Sequence, residues 1–161
     1  MGSFSPDKNY ERLIRAFEKV HAENPETCLF ILGDTGTLFD KLAETILNSS
    51  CDGAVYLVKN MSNPYALMKQ CDYYVSASSY EGLGTNLADA DVLGLTCVAT
   101  DVPGNHAFMT LAGGFLTPDN EEGVEQALRA CLEGKVSKSL NINYKKYNQE
   151  AIAQFESLLP S

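Results

Sequence analysis

Residues 27–33 (TCLFILG), 54–58 (AVYLV), 73–78 (YYVSAS) and 96–100 (TCVAT) are short, nearly continuous apolar runs bounded by Gly, Asp or Pro. They lack the alternation of a half-exposed strand and so predict parallel strands covered on both faces. Between them the apolar spacing changes to helical steps of three and four. Tyr10, Leu13, Ile14, Phe17 and Val20 form one such stripe, Leu38, Leu42 and Ile46 a second, and Val124, Ala127, Leu128, Cys131 and Leu132 a third. Alternating strands and helices predict βαβ units and an α/β, Rossmann-like parallel sheet between helical layers, in a single domain over residues 1–135. The first helix starts near Lys8 with no strand ahead of it, and MGSF suits the tail of a truncated first strand. Residues 136–161 read as a linker and a helix from Tyr144 to Leu159, packed loosely on the sheet.

In an open parallel sheet, ligands bind at the carboxyl ends of the strands, where each turn leads into a helix. The turns to inspect are therefore 33–37 (GDTGT), 59–65 (KNMSNPY), 78–86 (SSYEGLGTN) and 100–106 (TDVPGNH). In the third, Gly82 and Gly84 permit a tight turn and close approach of a ligand. The amides of Leu83, Gly84 and Thr85 open the next helix, an arrangement that favours an anion or sugar oxygens. Glu81 precedes those amides, and Asp89 stands about one helical turn beyond them. Spacing alone leaves a second reading open, a solvated acid and a dipole-stabilising acid. No dinucleotide glycine motif and no Walker motif occurs. Asn63-Pro64 reads as a cap, His21 as a residue of a polar helix face, and His106 as a turn residue without a nameable partner.

The net charge of −9 repels nucleic acid and anionic membrane, so any polyanion must enter a local pocket. The five dispersed cysteines show no metal-ligand spacing and read as buried, reduced thiols of a cytoplasmic protein. No signal peptide and no run of ~20 apolar residues is visible. Met1-Gly2-Ser3 fits an introduced start on a piece of a longer protein.

The segments FSPDKNYERLIRAFEKV, LFILGDTG, VYLV and NPYALMKQCDYYVSASSYEGLGTNLADADVLGLTCVATDVPG, followed by GGFLTPDN, resemble the C-terminal, donor-binding domain of GT-B fold glycosyltransferases. Within that fold they resemble the retaining group called glycosyltransferase family 4, and the resemblance spans roughly residues 2–135. It implies that Glu81 lies by the transferred sugar, that the backbone of Gly82, Leu83, Gly84 and Thr85 contacts sugar and diphosphate, and that Asp89 holds the ribose hydroxyls. It also implies that Lys8 neutralises the leaving diphosphate, that Gly33 and Gly36 border the phosphate side, and that the turn containing Met61 meets the nucleobase.

Three positions depart from the family pattern. Asp89 stands where Glu is general, Asp91 where an apolar residue is common, and Ser3 where an arginine accompanies the lysine. Asp91 is expected on an exposed helix face, and the loss of a bidentate guanidinium at Ser3 weakens the electrostatics of phosphate departure. The implied activity is transfer of a hexose from a nucleoside diphosphate sugar, UDP-linked by analogy, with no cofactor and no metal. The acceptor would be held by a missing N-terminal domain, and the chain alone is expected to be inactive. Remaining alternatives are a degenerate non-catalytic module, a UDP-sugar epimerase of the same fold, and a flavodoxin- or receiver-like domain, whose paired acids after the first strand are absent.

Overall fold

The computed structural model describes residues 1–137 and 142–158. Helix α1 (Tyr10–Glu23) leads into strand β1 (Leu29–Gly33), α2 (Phe39–Leu47) into β2 (Val55–Lys59), and α3 (Pro64–Met68) into β3 (Tyr73–Ser76). Then follow α4 (Thr85–Val92), β4 (Thr96–Thr100), α5 (Pro103–Ala112), β5 (Phe115–Thr117), α6 (Glu121–Leu132) and α7 (Tyr144–Ser157). Every strand pairing is parallel, with Leu29 opposite Val55, Tyr73 opposite Thr96, and Val98 opposite Phe115. The α/β, Rossmann-like reading is therefore correct.

The helical layers cover both sheet faces. On one face Ile14 and Phe17 of α1, Leu42 of α2 and Val124 of α6 pack with Ile31 and Val75. On the other, Met68 of α3, Leu87 and Ala90 of α4, and Phe108 and Met109 of α5 pack with Leu32, Tyr74 and Cys97. Successive residues of β1 and β3 thus enter opposite clusters, which explains runs with no polar alternation. Edge strand β2 departs from this, because its Tyr56 is exposed.

The sheet is divided. Strands β1 and β2 form one ladder and β3, β4 and β5 another, with no β1–β3 pairing. Residues Met1–Phe4 run along the upper end of this division, with Gly2 N–H donating to Leu32 O at 2.9 Å and Phe4 N–H to Thr35 O at 2.6 Å.

Several sequence-based expectations require correction. His106 lies in α5 rather than in a turn, and β5 was not anticipated, because three residues are too few to show a period. Cys28 is exposed and Cys71 half-buried, so only Cys51, Cys97 and Cys131 are the buried thiols expected. Asp91 is not on an exposed face: it is 1% exposed and accepts a hydrogen bond from the Tyr144 hydroxyl at 2.9 Å. That bond ties the start of α7 to α4, while α7 itself contributes no buried residue. Leu159, the expected end of that helix, lies outside the described residues. Among the described residues no helix is long and apolar enough to cross a membrane.

Candidate active site

Pro6 pre-sets the backbone for a single 3-10 turn, Pro6–Lys8, which Asn9 ends in the left-handed region at φ 50°. The turn is fastened to the exit of β3 by Ser79 N–H donating to Asp7 O at 2.8 Å. Its last residue, Lys8, therefore projects to the carboxyl end of β3, where Nζ lies 2.7 Å from Glu81 Oε1. Both side chains are shielded, at 15% and 16% exposure, so the pair acts in a medium less screened than bulk water.

Glu81 is held from below. The Ser78 hydroxyl donates to the same Oε1 at 2.8 Å, and Ser76 donates to Ser78 at 3.3 Å. Thr100 Oγ1 donates to Ser78 O, and Asn105 Nδ2 donates to Thr100 O at 3.0 Å. These residues are buried, and hydrogen bonding among them fixes where the Glu81 carboxylate stands. A pocket of about 10 Å³, lined by Lys8, Tyr10, Ser76, Ser78 and Glu81, lies beneath the pair and has room for roughly one water. The Tyr10 hydroxyl there is buried without a partner, and burial, then the Glu81 and Asp7 carboxylates, hold its pKa well above the usual phenol value.

Gly104 makes this approach possible, since a Cβ at that position would stand 2.2 Å from Glu81 O. Ser78, Gly104 and Asn105 were not singled out as site residues from the sequence. Their signal was weak: each lies in a turn marked for inspection, and only the packing of α5 against the 81–82 backbone makes them matter.

The next segment places the rest of the predicted set. Gly84 caps α4 at φ 59°, a left-handed conformation that favours glycine, and turns the chain sharply after the exposed Leu83. Gly82 has open space where a side chain would stand. The helix's own bonding starts with Leu87 and Ala88 N–H donating to Gly84 O at 2.9 and 3.1 Å, so the Thr85 and Asn86 amides precede it and by geometry have no intrahelical partner. Asp89, one turn on, is half-buried and accepts from the Tyr65 hydroxyl at 3.4 Å. Tyr65, exposed on α3, is a further residue that sequence reasoning passed over, because α3 and α4 meet only in the fold.

Other expected residues sit farther out. Gly33 and Gly36 face the backbone and ring of Phe4 and the Gly2 carbonyl, so they accommodate the N-terminal segment that leads to Lys8. Met61 is exposed in the turn after β2. Ser3 bonds Ser5 at 2.9 Å, and the neighbouring Gly2 lies beside Lys8, whose Cε is 3.4 Å from the Cβ position of Gly2. Asn63 caps α3 by accepting from Ala66 N–H at 3.3 Å. His106 has a partner after all, Asp101 at 2.7 Å, on the exposed surface. His21 is half-buried, stacked on Phe17 and 3.2 Å from the Thr27 hydroxyl.

A parallel α/β sheet with a shielded Lys–Glu pair at the carboxyl ends of its strands is a Rossmann-like domain with a charged cleft where such sheets bind ligands. The chain belongs to the family of glycosyl transferases group 1, whose model matches residues 1–151. It is 35% identical over 101 residues to the uncharacterized glycosyltransferase MJ1059 of Methanocaldococcus jannaschii, covering 63% of this chain and 25% of that protein. It is 30% identical over 132 residues to the GtfA subunit of the UDP-N-acetylglucosamine–peptide N-acetylglucosaminyltransferase of Streptococcus pneumoniae, covering 81% of this chain and 26% of the relative. The crystal structure of the pneumococcal O-GlcNAc transferase GtfA in complex with UDP and GlcNAc superposes with a TM-score of 0.65 at 28% identity, covering 78% of this chain and 26% of that one. The chain thus spans about a quarter of the length of these relatives.

Proposed function

We propose that the chain is the donor-binding half of a retaining glycosyltransferase that transfers a hexose from a UDP-sugar. The acceptor would be held by a second, N-terminal Rossmann-like domain. The observation that carries this reading is the Lys8–Glu81 pair at 2.7 Å beside the open amino end of α4. A diphosphate seated there meets a cation and a row of amide donors, while Glu81 stands within reach of the attached sugar. Lys8 would exchange its carboxylate partner for phosphate oxygens and stabilise the charge that grows as the nucleotide departs. Asp89, oriented by the Tyr65 hydroxyl, would accept both hydroxyls of the ribose. Similarity to a pneumococcal enzyme crystallised with UDP supports uridine as the base. With half of the closing surface absent, binding to the isolated chain is expected at roughly 0.1–1 mM, or ~4–5.5 kcal/mol.

Calorimetric titration of UDP and of uridine into the chain and into Asp89→Ala tests this reading. UDP should bind, uridine should bind more weakly, and Asp89→Ala should lose roughly tenfold in UDP affinity. Equal affinities for the two proteins would remove Asp89 from the ribose site, and no heat with UDP would remove the donor assignment.

Ser3 favours a second reading, a donor-like module that binds nucleotide without transferring sugar, since a hydroxyl stands where the resemblance implies an arginine beside Lys8. Sugar transfer by the intact two-domain protein separates the two.

A further inference from the structure

Lys8 and Ser78 both reach Glu81 at one oxygen, Oε1, at 2.7 and 2.8 Å. Two bonds to a single atom fix that atom and leave the carboxylate able to swing about it, so its plane depends on what else meets the group. Tyr10 is the neighbour placed to do so. It opens α1 directly after the left-handed Asn9, and that reversal sends Lys8 and Tyr10 to the same pocket at the end of β3. The Tyr10 side chain is buried and its ring tilts against Phe4, with 6.1 Å between centroids, so its hydroxyl has a fixed place. That hydroxyl is without a partner on the wall of the pocket of about 10 Å³ that it shares with Ser76, Ser78 and Glu81. Gly2 borders the same space, since a Cβ there would stand 3.2 Å from the Tyr10 oxygen. Burial, then the Glu81 and Asp7 carboxylates, keep the phenol protonated at neutral pH, so it is available as a donor. An unpaired buried donor is costly, and a polar pocket of this size accommodates one water.

We propose that Tyr10 is a positioning residue that sets the plane of the Glu81 carboxylate through a single buried water. The consequence for sugar transfer rests on the donor-domain reading; the hydrogen bonding itself does not. The Tyr10 hydroxyl donates to the water. The water donates one proton to the Glu81 carboxylate and the other to a hydroxyl oxygen of the Ser76–Ser78 pair, which gives it the three partners typical of a buried water. A bond to an ionised carboxylate is of the stronger, charge-assisted kind, so an ordered bridge here holds Glu81 nearly as well as a direct contact. The bridge matters most when Lys8 is engaged elsewhere. A diphosphate that draws the ammonium away strips Glu81 of its 2.7 Å partner, and Ser78 and the water then hold the carboxylate toward the sugar. The Met1 amine on the same wall does not replace the ammonium. Burial, with nearby Lys8 adding to the effect, pushes its pKa down to about 5, which leaves it uncharged at neutral pH.

The test begins on the parent chain and needs no variant: NMR cross-relaxation should connect a long-lived water with protons of Tyr10 and Ser78. Tyr10→Phe then keeps the ring and deletes the donor. With isotope-labelled glutamate, the Glu81 carboxyl resonance, assigned by its loss in Glu81→Gln, should move in Tyr10→Phe with no nucleotide present. In the two-domain protein Tyr10→Phe should lower kcat for sugar transfer about tenfold while the donor KM stays within about twofold, because the plane of Glu81 counts after the donor is bound. A dry pocket reverses these results. Tyr10→Phe would then remove an unpaired hydroxyl, raise Tm and leave the Glu81 resonance where it was, and that outcome overturns the proposal. An unchanged kcat, or one that changes only together with KM and Tm, makes Tyr10 a packing residue and also overturns it. If UDP binds neither the parent nor the variant, the donor reading fails, while the water signal and the Glu81 resonance still decide whether Tyr10 holds the carboxylate.

Discussion

Lys8 and Glu81 stand 73 residues apart in sequence and 2.7 Å apart in the fold. Because the pair is shielded, replacing either partner changes the field at the proposed phosphate seat more than a surface pair would. The two substitutions should act in opposite senses on nucleotide binding. Lys8→Met is expected to weaken UDP about tenfold, whereas Glu81→Gln, which frees the ammonium, should bind UDP at least as tightly as the parent while abolishing sugar transfer in the two-domain protein. Calorimetry and a transfer assay read both; weaker UDP binding by both variants would sink the assignment.

Ser3→Arg tests whether the N-terminus borders the phosphate. With Gly2 beside Lys8, a guanidinium at position 3 can reach the same anion and bind it bidentately. UDP affinity should rise by about 1–2 kcal/mol at low salt, and the gain should shrink as ionic strength increases. Uridine, lacking phosphate, should bind both proteins alike. An equal gain for uridine would place the arginine elsewhere.

Gly104→Ala should be among the most damaging small substitutions at the site. Its methyl would meet the Glu81 and Gly82 backbone, at 2.2 Å from the Glu81 carbonyl oxygen, and backbone has little room to yield. We expect a loss of about 1–3 kcal/mol in stability together with weaker UDP binding, measured by denaturant unfolding and calorimetry. Gly82→Ala, with open space around it, is the control and should leave stability within about 0.5 kcal/mol.

The α1–α6 seam predicts a pH dependence. Arg15 and Lys19 meet Glu121 at 2.7 and 2.9 Å, and Arg129 bridges Glu23 and Glu125. Hydrogen bonds from these cations hold the Glu121, Glu23 and Glu125 carboxyls below their ordinary value of 4.5. Carboxyls depressed in the folded state contribute stability above the unfolded value, and that contribution disappears as pH falls through the lower folded value. Stability should therefore decline below about pH 4.5, and Glu121→Gln should flatten the decline. The seam is solvent-exposed, so high salt should reduce the difference between variant and parent. Thermal unfolding from pH 3 to 7 measures it, and identical pH profiles would exclude Glu121 from the effect.

Which features were legible beforehand depends on the range of the interaction that makes them. Strands β1 to β4 and helices α1 and α6 follow from apolar spacing, because burial on two faces or one leaves a periodic record in the residues themselves. The turn that carries Glu81 and Gly84 was readable for the same reason: a left-handed cap favours glycine locally. The tertiary structure alone decided the rest. Asp91 reads as an exposed acid until Tyr144, 53 residues later, folds back to bond it. Gly104 is one residue of the 100–106 turn until the Glu81 backbone arrives against it, and Tyr65 one residue of the 59–65 turn until α4 brings Asp89 to its hydroxyl. The division of the sheet between β1 and β3 has no local sign either, since strand order is set by which apolar faces pack together. Sequence spacing records what a residue needs from its neighbours in the chain; which distant partner supplies the remaining contacts is decided only when the helices close over both faces of the sheet.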